Sequence, residues 1–452
     1  MLRGQKQVGT DCHDRGRRFE RRNPLRAAWQ RRAVSTTSQA LAPFRVRSFR
    51  FQWPADMATS WAFEMESLIL GWYVLVETKS VLMLAVFVSL QFTGTLIGPM
   101  VGVMGDRFGH RNLLCAMRAI YASLAATLMI LTFAGVLSPV HVFVIAALTG
   151  LVRPSDIGTR AAVVGDIMPG AQLMAAMGIQ RTTQDTAKIA GALTGAGLVA
   201  MLGMGPAYAV VAALYTASLV LTWKAGGAST ASHAPAAKAV ATARASSWRD
   251  LKEGLAYVRH TPLLLAVMCL AFLLNLTAFP LLNGLLPYVT KEIYHSDQTV
   301  LGYMVAGTSF GALLGSILLS RFGSEIRAAR LTLISSLGWY AMLIVFSQLD
   351  NSASGVLVLM LAGFAQSTSQ VPMAAILLRN SDAHLRGRVM GIRMLAINGN
   401  MPGLLISGPL IASYGYPVTA ALYCTVGVVF TLLIAVHWRA QLWRREAPAN
   451  KR

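Results

Sequence analysis

From about residue 55 onward, long apolar stretches alternate with short polar ones. A helix rises ~1.5 Å per residue and the hydrocarbon core of a bilayer is ~30 Å thick, so ~20 mostly apolar residues suffice to cross it. The pattern predicts twelve such spans, at residues 55–77, 81–104, 112–131, 140–160, 174–202, 206–223, 263–288, 300–319, 329–346, 355–377, 389–413 and 417–438. Few of the runs alternate with period two, which argues against a lipid-facing β-barrel. The expected fold class is therefore an all-α membrane protein with 12 transmembrane helices.

The breaks in the pattern organise the chain. A turn near Ser138 and Pro139 parts the third and fourth spans, and Gly203 to Pro206 parts the fifth and sixth. Residues 225–247 are rich in Ala, Ser and Thr and read as a flexible linker. Residues 247–259 follow as a short amphipathic helix, with Trp248, Leu251, Leu255 and Val258 on one face, expected to rest at the membrane surface. The expected layout is a basic, disordered tail at 1–52, a six-helix bundle at 53–224, a linker with its helix at 225–261, a second six-helix bundle at 262–438 and a basic tail at 439–452.

The two halves repeat each other. Arg107-Phe108-Gly109 after span two answers Arg321-Phe322-Gly323 after span eight. Gly191 and Gly195 answer Gly399 and Gly403, and Ala212 to Tyr215 answers Ala420 to Tyr423. The offsets are 214, 208 and 208 residues, each between equivalent spans. Matches at such similar spacing favour an internal duplication and two pseudo-symmetric bundles.

Composition adds two things. The chain is 55% hydrophobic and 13% charged, too few charges for the shell of a soluble domain. Of the net charge of +21, +10 sits in residues 1–52. That stretch has no apolar core region of a secretory signal. It reads as a disordered cytoplasmic tail, an extension from an upstream start codon or an organellar transit peptide, and it is able to touch anionic headgroups. Elsewhere the basic residues sort by side. Arg107, Arg111, Arg160, Arg181, the linker, Arg321, Arg327, Arg386, Arg388 and the C-terminal tail fall on one side, against Lys79 and Lys291 on the other. Retention of Lys and Arg in the cytoplasm places both termini there, in a multi-pass protein of the cell's inner membrane.

Cys12, Cys115, Cys269 and Cys424 are far apart and the eight histidines are scattered, so no disulfide framework and no metal site is expected. His110 reads as a solvated loop residue. There is no clustered nucleophile and base, no HExxH and no Walker pattern, so neither an enzyme nor an ATP-driven pump is expected, and no cofactor is implied.

The most specific local signal joins spans two and three: Gly102-Val-Met-Gly-Asp106-Arg107-Phe-Gly109-His-Arg111. It resembles the signature loop of the major facilitator superfamily, G-x-x-x-D-R-x-G-x-R, and lies on the basic side as that loop does. The resemblance covers about residues 53–438 and implies the fold of that superfamily, with Gly102, Asp106, Arg107, Gly109 and Arg111 as a conformational latch that holds the outward-facing state. The second copy of the loop lacks the Asp before Arg321. Arg386-Gly-Arg-Val entering span eleven resembles the turn of bacterial efflux members related to siderophore (enterobactin) exporters. Span five has Gly191, Gly195 and Gly197 but not the full G-P-x-x-G-G pattern of drug/proton antiporters, and Gly408-Pro409 echoes it in part.

Charges inside a span are costly, at ~2.5–3.5 kcal/mol each on insertion scales, and so mark function. Glu64 shares a helical face with Ser60, Ser67 and Gly71, a small polar stripe suited to a cavity wall, whereas Glu66 faces elsewhere. Glu64 is the favoured proton or cation group, with a structural carboxylate paired to an arginine as the alternative. Arg153 in span four is a second candidate. Asp156 or Asp166 is expected to pair with the latch arginines, and Arg181, Asp185 and Lys188 to pair at the membrane edge. In the second half the candidates are neutral: Asn275 and Asn283, Gln366 and Gln370, and Asn398 and Asn400. A cavity so low in charge, near Trp61, Trp72 and Tyr73, points to an amphipathic or apolar substrate. The expected function is a proton-coupled, alternating-access exporter of a small drug- or siderophore-like compound. An importer or facilitator on the same fold and a non-transporting receptor or scaffold are the alternatives. Its partners are then a small-molecule substrate, protons and the lipid bilayer, with no nucleic acid, and the chain is expected to act as a monomer.

Overall fold

The computed structural model describes residues 42–96, 108–226, 247–322, 327–382 and 385–442, which form helices and short turns. In the first half these are α1 (Arg47–Thr78), α2 (Val81–Leu90), α3 (His110–Phe133), α4 (Pro139–Ile167), α5 (Gly170–Leu202) and α6 (Met204–Lys224). The linking helix is α7 (Ser247–His260). The second half has α8 (Pro262–Thr277), α9 (Phe279–Asn283), α10 (Leu286–Tyr288) and a π-helical turn (Val289–Ile293). It continues with α11 (Gln298–Phe322), α12 (Ala328–Ser347), α13 (Ser352–Arg379), α14 (Arg386–Ile397), α15 (Asn400–Tyr414), α16 (Tyr416–His437) and α17 (Arg439–Leu442).

Each of the twelve expected spans falls on a helical segment, the second in part because residues 97–107 lie outside the described residues. Among the described residues nine segments are long and apolar enough to cross a membrane. The others have simple reasons. Described α2 is short, and α1 and α5 carry the charges that the site needs. Large apolar side chains such as Ile130, Phe133, Ile334, Leu433 and Val436 stand exposed around the bundle, as lipid-facing residues do.

Two spans are broken by proline. In the seventh, Pro280 and Pro287 lack the N–H that continues a helix, and the span divides into α8, α9, α10 and the π turn. In the eleventh, Pro402 cannot donate to the carbonyl of Asn398, and α14 stops there before α15 begins at Asn400. At the N-terminus, structure starts earlier than the boundary at residue 52. Phe44 sets its ring edge-on to Phe49 and Trp53, which tie the first turn of α1 to Val164, Met168 and Ala176. The rest of the expected tail, residues 1–41, and the linker at 227–246 lie outside the described residues. In α7, Val258 is buried and Gly254 lies against Arg388 and Ile392 of α14, while Leu255 is 56% exposed. The apolar face of this helix is thus divided between the second half and the outside.

The duplication seen in the sequence has a packing counterpart. Gly191 and Gly195 seat α5 on the first helix of its half, at Glu64 and Met65 of α1. Gly399 and Gly403 seat the eleventh span on the first helix of the second half, at Phe272 and Leu276 of α8. Small residues let helix backbones approach closely where no hydrophobic effect drives them together. Each half keeps its own core, one built around Ile69, Tyr121, Ala146 and Tyr208, the other around Leu274, Trp339, Leu359 and Tyr423.

The halves meet mainly at one end. A Cβ on Gly302 of α11 would lie 3.0 Å from the carbonyl oxygen of Ala192 of α5, and one on Gly408 of α15 would lie 3.0 Å from Cα of Leu82 of α2. Gly71 of α1 faces Pro287 of α10. These positions all lie near the turns at residues 78–81, 294–298 and 414–416, remote from the basic loops. Within the second half, Gly311 of α11 is pressed against the carbonyl of Met360 of α13. Replacing Gly311 by Leu is expected to destabilise the protein by about 1–3 kcal/mol through overpacking. The same change at Gly338, which has open space around it, is expected to be near neutral. Thermal unfolding in detergent checks both.

Candidate functional site

Between the halves, behind the contact at the far end, lies a water-accessible cavity in two connected chambers of about 350 Å³ each. Both are lined by Glu64 and Ser67 of α1, Lys188 of α5, Phe279 and Asn283 of α9, and Gln370 of α13. The first chamber adds Arg181 and Asp185 of α5, Gln366 of α13 and Arg393 of α14 over an apolar wall of Leu282, Leu286, Leu301 and Val305. The second adds Phe63, Gln91, Arg153, Asn275 and Asn400. Arg181, whose side chain is 72% exposed, stands where the first chamber opens.

The deeper chamber is organised by hydrogen bonds. Gln91, just past α2, accepts from Ser67 at 3.2 Å and from Arg153 at 3.3 Å. The Arg153 guanidinium also lies 3.1 Å from the centroid of the Phe63 ring, a cation–π contact. Asn275 donates to the Ala271 carbonyl at 2.8 Å and lines the chamber from α8. Trp61 donates to Thr194 at 2.8 Å and fastens α1 to α5 beside the cavity.

A family model described as transmembrane secretion effector matches residues 38–451. The chain belongs to the transmembrane secretion effector family. Macrolide efflux protein A of Streptococcus pyogenes is 22% identical over 286 residues, 60% of this chain and 68% of that protein. Among solved structures, a bacterial homologue of the human lysosomal transporter Spinster, in an inward-facing and unoccupied conformation, superposes with TM-score 0.67. It has 13% identity and covers 89% of this chain and 99% of that one. The nucleoside transporter NupG gives TM-score 0.66 at 14% identity, over 85% and 99% of the two chains. The POT family transporter PepTSo gives TM-score 0.66 at 14% identity, over 89% and 99%. The fold is that of the major facilitator transporters, and this secretion effector is a membrane transporter on that fold.

Against this frame the site residues expected in the transporter divide. Glu64, Arg153, Asn275 and Gln366 come together at the cavity. Glu66 does not. It is 5% exposed, accepts a hydrogen bond from Tyr215 of α6 at 2.8 Å and sits in a small pocket inside the first half. Asn398 lies at the break between α14 and α15, outside the linings of both chambers, and its neighbour Asn400 takes the cavity position.

The cavity is not low in charge, as the neutral amides of the second half had suggested. Arg153, Arg181, Lys188, Arg393, Glu64 and Asp185 all line it. Arg181 and Asp185 do pair, at 3.4 Å one helical turn apart, but within the cavity wall. Charged residues on a spanning helix must face a watery space or a partner, and α5 turns its charged stripe to the cavity.

Of the latch, Gly102, Asp106 and Arg107 lie outside the described residues. Gly109 takes φ of +82° immediately before α3, a conformation that favours glycine. Arg111 donates to the carbonyls of Thr222, at 3.4 Å, and Trp223, closing the C-terminal end of α6 within its own half. Cations are favourable there because the last carbonyls of a helix lack partners. The acids expected to meet latch arginines have partners among the described residues. Asp156 pairs with Arg160 one turn along α4, and Asp166 meets His110 at 2.9 Å in an exposed contact.

One cluster escaped the sequence reading. Asp56 of α1, 4% exposed, bonds Arg118 of α3 and lies 4.0 Å from Arg160, while Gln52 donates to it at 2.8 Å. Arg160 also donates to Ser60 at 2.8 Å. Two acids and two arginines thus neutralise one another inside the basic end of the first half. The signal was present, since Arg118 is a lone cation in the apolar third span and a lone charge there demands a partner. Replacing Arg118 by Met is expected to destabilise the transporter by about 3–5 kcal/mol, because Asp56 keeps its buried charge. Adding Asp56→Asn should recover part of the loss, as a double-mutant cycle of thermal unfolding would read.

Proposed function

We propose that this transporter is a proton-coupled exporter of a small amphipathic compound, drug-like or siderophore-like, and that it works by alternating access in the cell membrane. The observation that carries the reading is a cavity at the seam of two duplicated halves, closed at one end by glycine-mediated contacts and wet at the other. The relative named for macrolide efflux favours export over import. Residues 53–224 and 262–438 are the two moving bundles, and the chain acts as a monomer with both termini in the cytoplasm, as the basic loops suggest.

In this reading the basic side is open and the far side shut. Alternating access then requires the contacts of Gly302 with α5 and of Gly408 with α2 to part while the basic ends approach. The loop bearing Asp106, Arg107 and Arg111 acts as the latch for that second state. Glu64 is the coupling group, because it is the acid common to both chambers and has a cation, Lys188, lining the same space. Loading a proton removes its charge, and so changes what the cavity binds and how readily it is crossed.

The test is transport by the full chain in proteoliposomes with an imposed pH gradient, using a panel of dyes. Glu64→Gln is expected to reduce proton-driven export at least about tenfold while leaving counterflow between equal pH values in place. Undiminished proton-driven export by that variant removes Glu64 from coupling, and absence of flux for every compound removes the transport reading itself.

A further inference from the structure

The charges that line the cavity do not cancel. Arg181 is engaged by Asp185 at 3.4 Å. Arg153 is held by Gln91 and the Phe63 ring, and the acid whose field reaches it most strongly is Glu64. That leaves Lys188 of α5 and Arg393 of α14, which line the cavity and have no ion pair or hydrogen bond among the described residues. They come from opposite halves. The charged group that acts on Arg393 is another cation, Arg181. There is a third donor: Nε2 of Gln370, which lines both chambers, is buried without a partner among the described residues.

Two unpaired cations and a free amide donor in a partly dehydrated wall are complementary to a negative group. Water screens such charges less there than in bulk, so the repulsion of Arg393 by Arg181 across the seam persists until an anion offsets it. The same chamber has an apolar stretch of wall, formed by Leu282, Leu301 and Val305. A chamber of about 350 Å³ has the size of sites that hold small organic molecules.

We propose that the substrate is an amphipathic organic anion, its acidic head held between Lys188 and Arg393 and its apolar body laid against Leu282, Leu301 and Val305. The proposal deepens the exporter reading and rests on it only in taking this cavity as the substrate path. Because the two cations sit on different halves, a bound acid also bridges the seam and offsets the repulsion that opposes closure of the basic end. A hydrated, structural role for the two side chains is the competing account.

The experiment uses the purified full chain in lipid nanodiscs and three probes sharing one ring system: naphthaleneacetate, naphthaleneacetamide and naphthylethylammonium. Equilibrium binding is expected to favour the acid over the amide at least about tenfold, the scale of one charge-assisted contact. Lys188→Gln and Arg393→Gln should each remove most of that preference without weakening the amide, and Arg393→Lys should retain much of it. Thermal unfolding checks that each variant is folded. The acid–amide comparison in the unaltered chain needs no variant at all. Equal binding of acid and amide, tighter binding of the ammonium probe, or full acid preference in the double variant K188Q/R393Q overturns the proposal. Counterflow of the same probes in proteoliposomes separates the two claims. Acid-selective binding without flux keeps the anion site and removes the transport reading, and flux that ignores the acid does the reverse.

Discussion

A charged side chain in the hydrocarbon layer has two tolerable arrangements: an opposite charge close by, or a face that water reaches. This transporter uses both, and most of its architecture follows from which one each charge adopts. Near the basic end of the first half, Asp56, Arg118, Arg160 and Asp156 form a closed set in which every charge has a partner. Deeper in the bilayer, Glu64, Arg153, Lys188 and Arg393 are turned to the seam between halves, where there is space for water. The first arrangement holds three helices of one bundle in register. The second leaves charge available to something that enters the cavity.

The seam itself exists because the helices approach one another unevenly. Glycines at 191, 195, 399 and 403 lock the crossing helices onto the first helix of each half, so each bundle is internally tight. Between the bundles the close glycine contacts at Gly302 and Gly408 are confined to the end away from the basic loops. Two rigid bodies joined at one end, with a wet cleft at the other, are suited to rocking. The proline breaks in the seventh and eleventh spans fall beside the cavity, at Pro280 and Pro402. Non-helical backbone at membrane depth is tolerated where it borders a cavity or is buried in protein, and there it sets which side chains reach the substrate space.

The two carboxylates of the first span differ in the same way. Glu66 is bonded to Tyr215 inside the first bundle and is shut away from the seam, whereas Glu64, two residues earlier, belongs to the cavity. A helix places residues two apart on opposite sides, so one acid is held inside the bundle and the other lines the cavity. The same logic separates Asn398 from Asn400 across the break in the eleventh span.

The sequence by itself determined the number and places of the spans, the duplication, the face of α1 that carries Glu64 and the membership of Arg153, Asn275 and Gln366 in a central polar set. These are readable because they depend on local periodicity, on run length and on glycine or proline at a given position. Only the tertiary structure decided that Asp56 meets Arg118, 62 residues away, that Lys188 and Arg393 share one chamber, and that Asp166 meets His110. Helical spacing says which side of a helix a charge occupies, but its partner is set by how helices from distant parts of the chain are rotated against one another. That rotation comes from the summed packing of many small contacts, and no single motif encodes it.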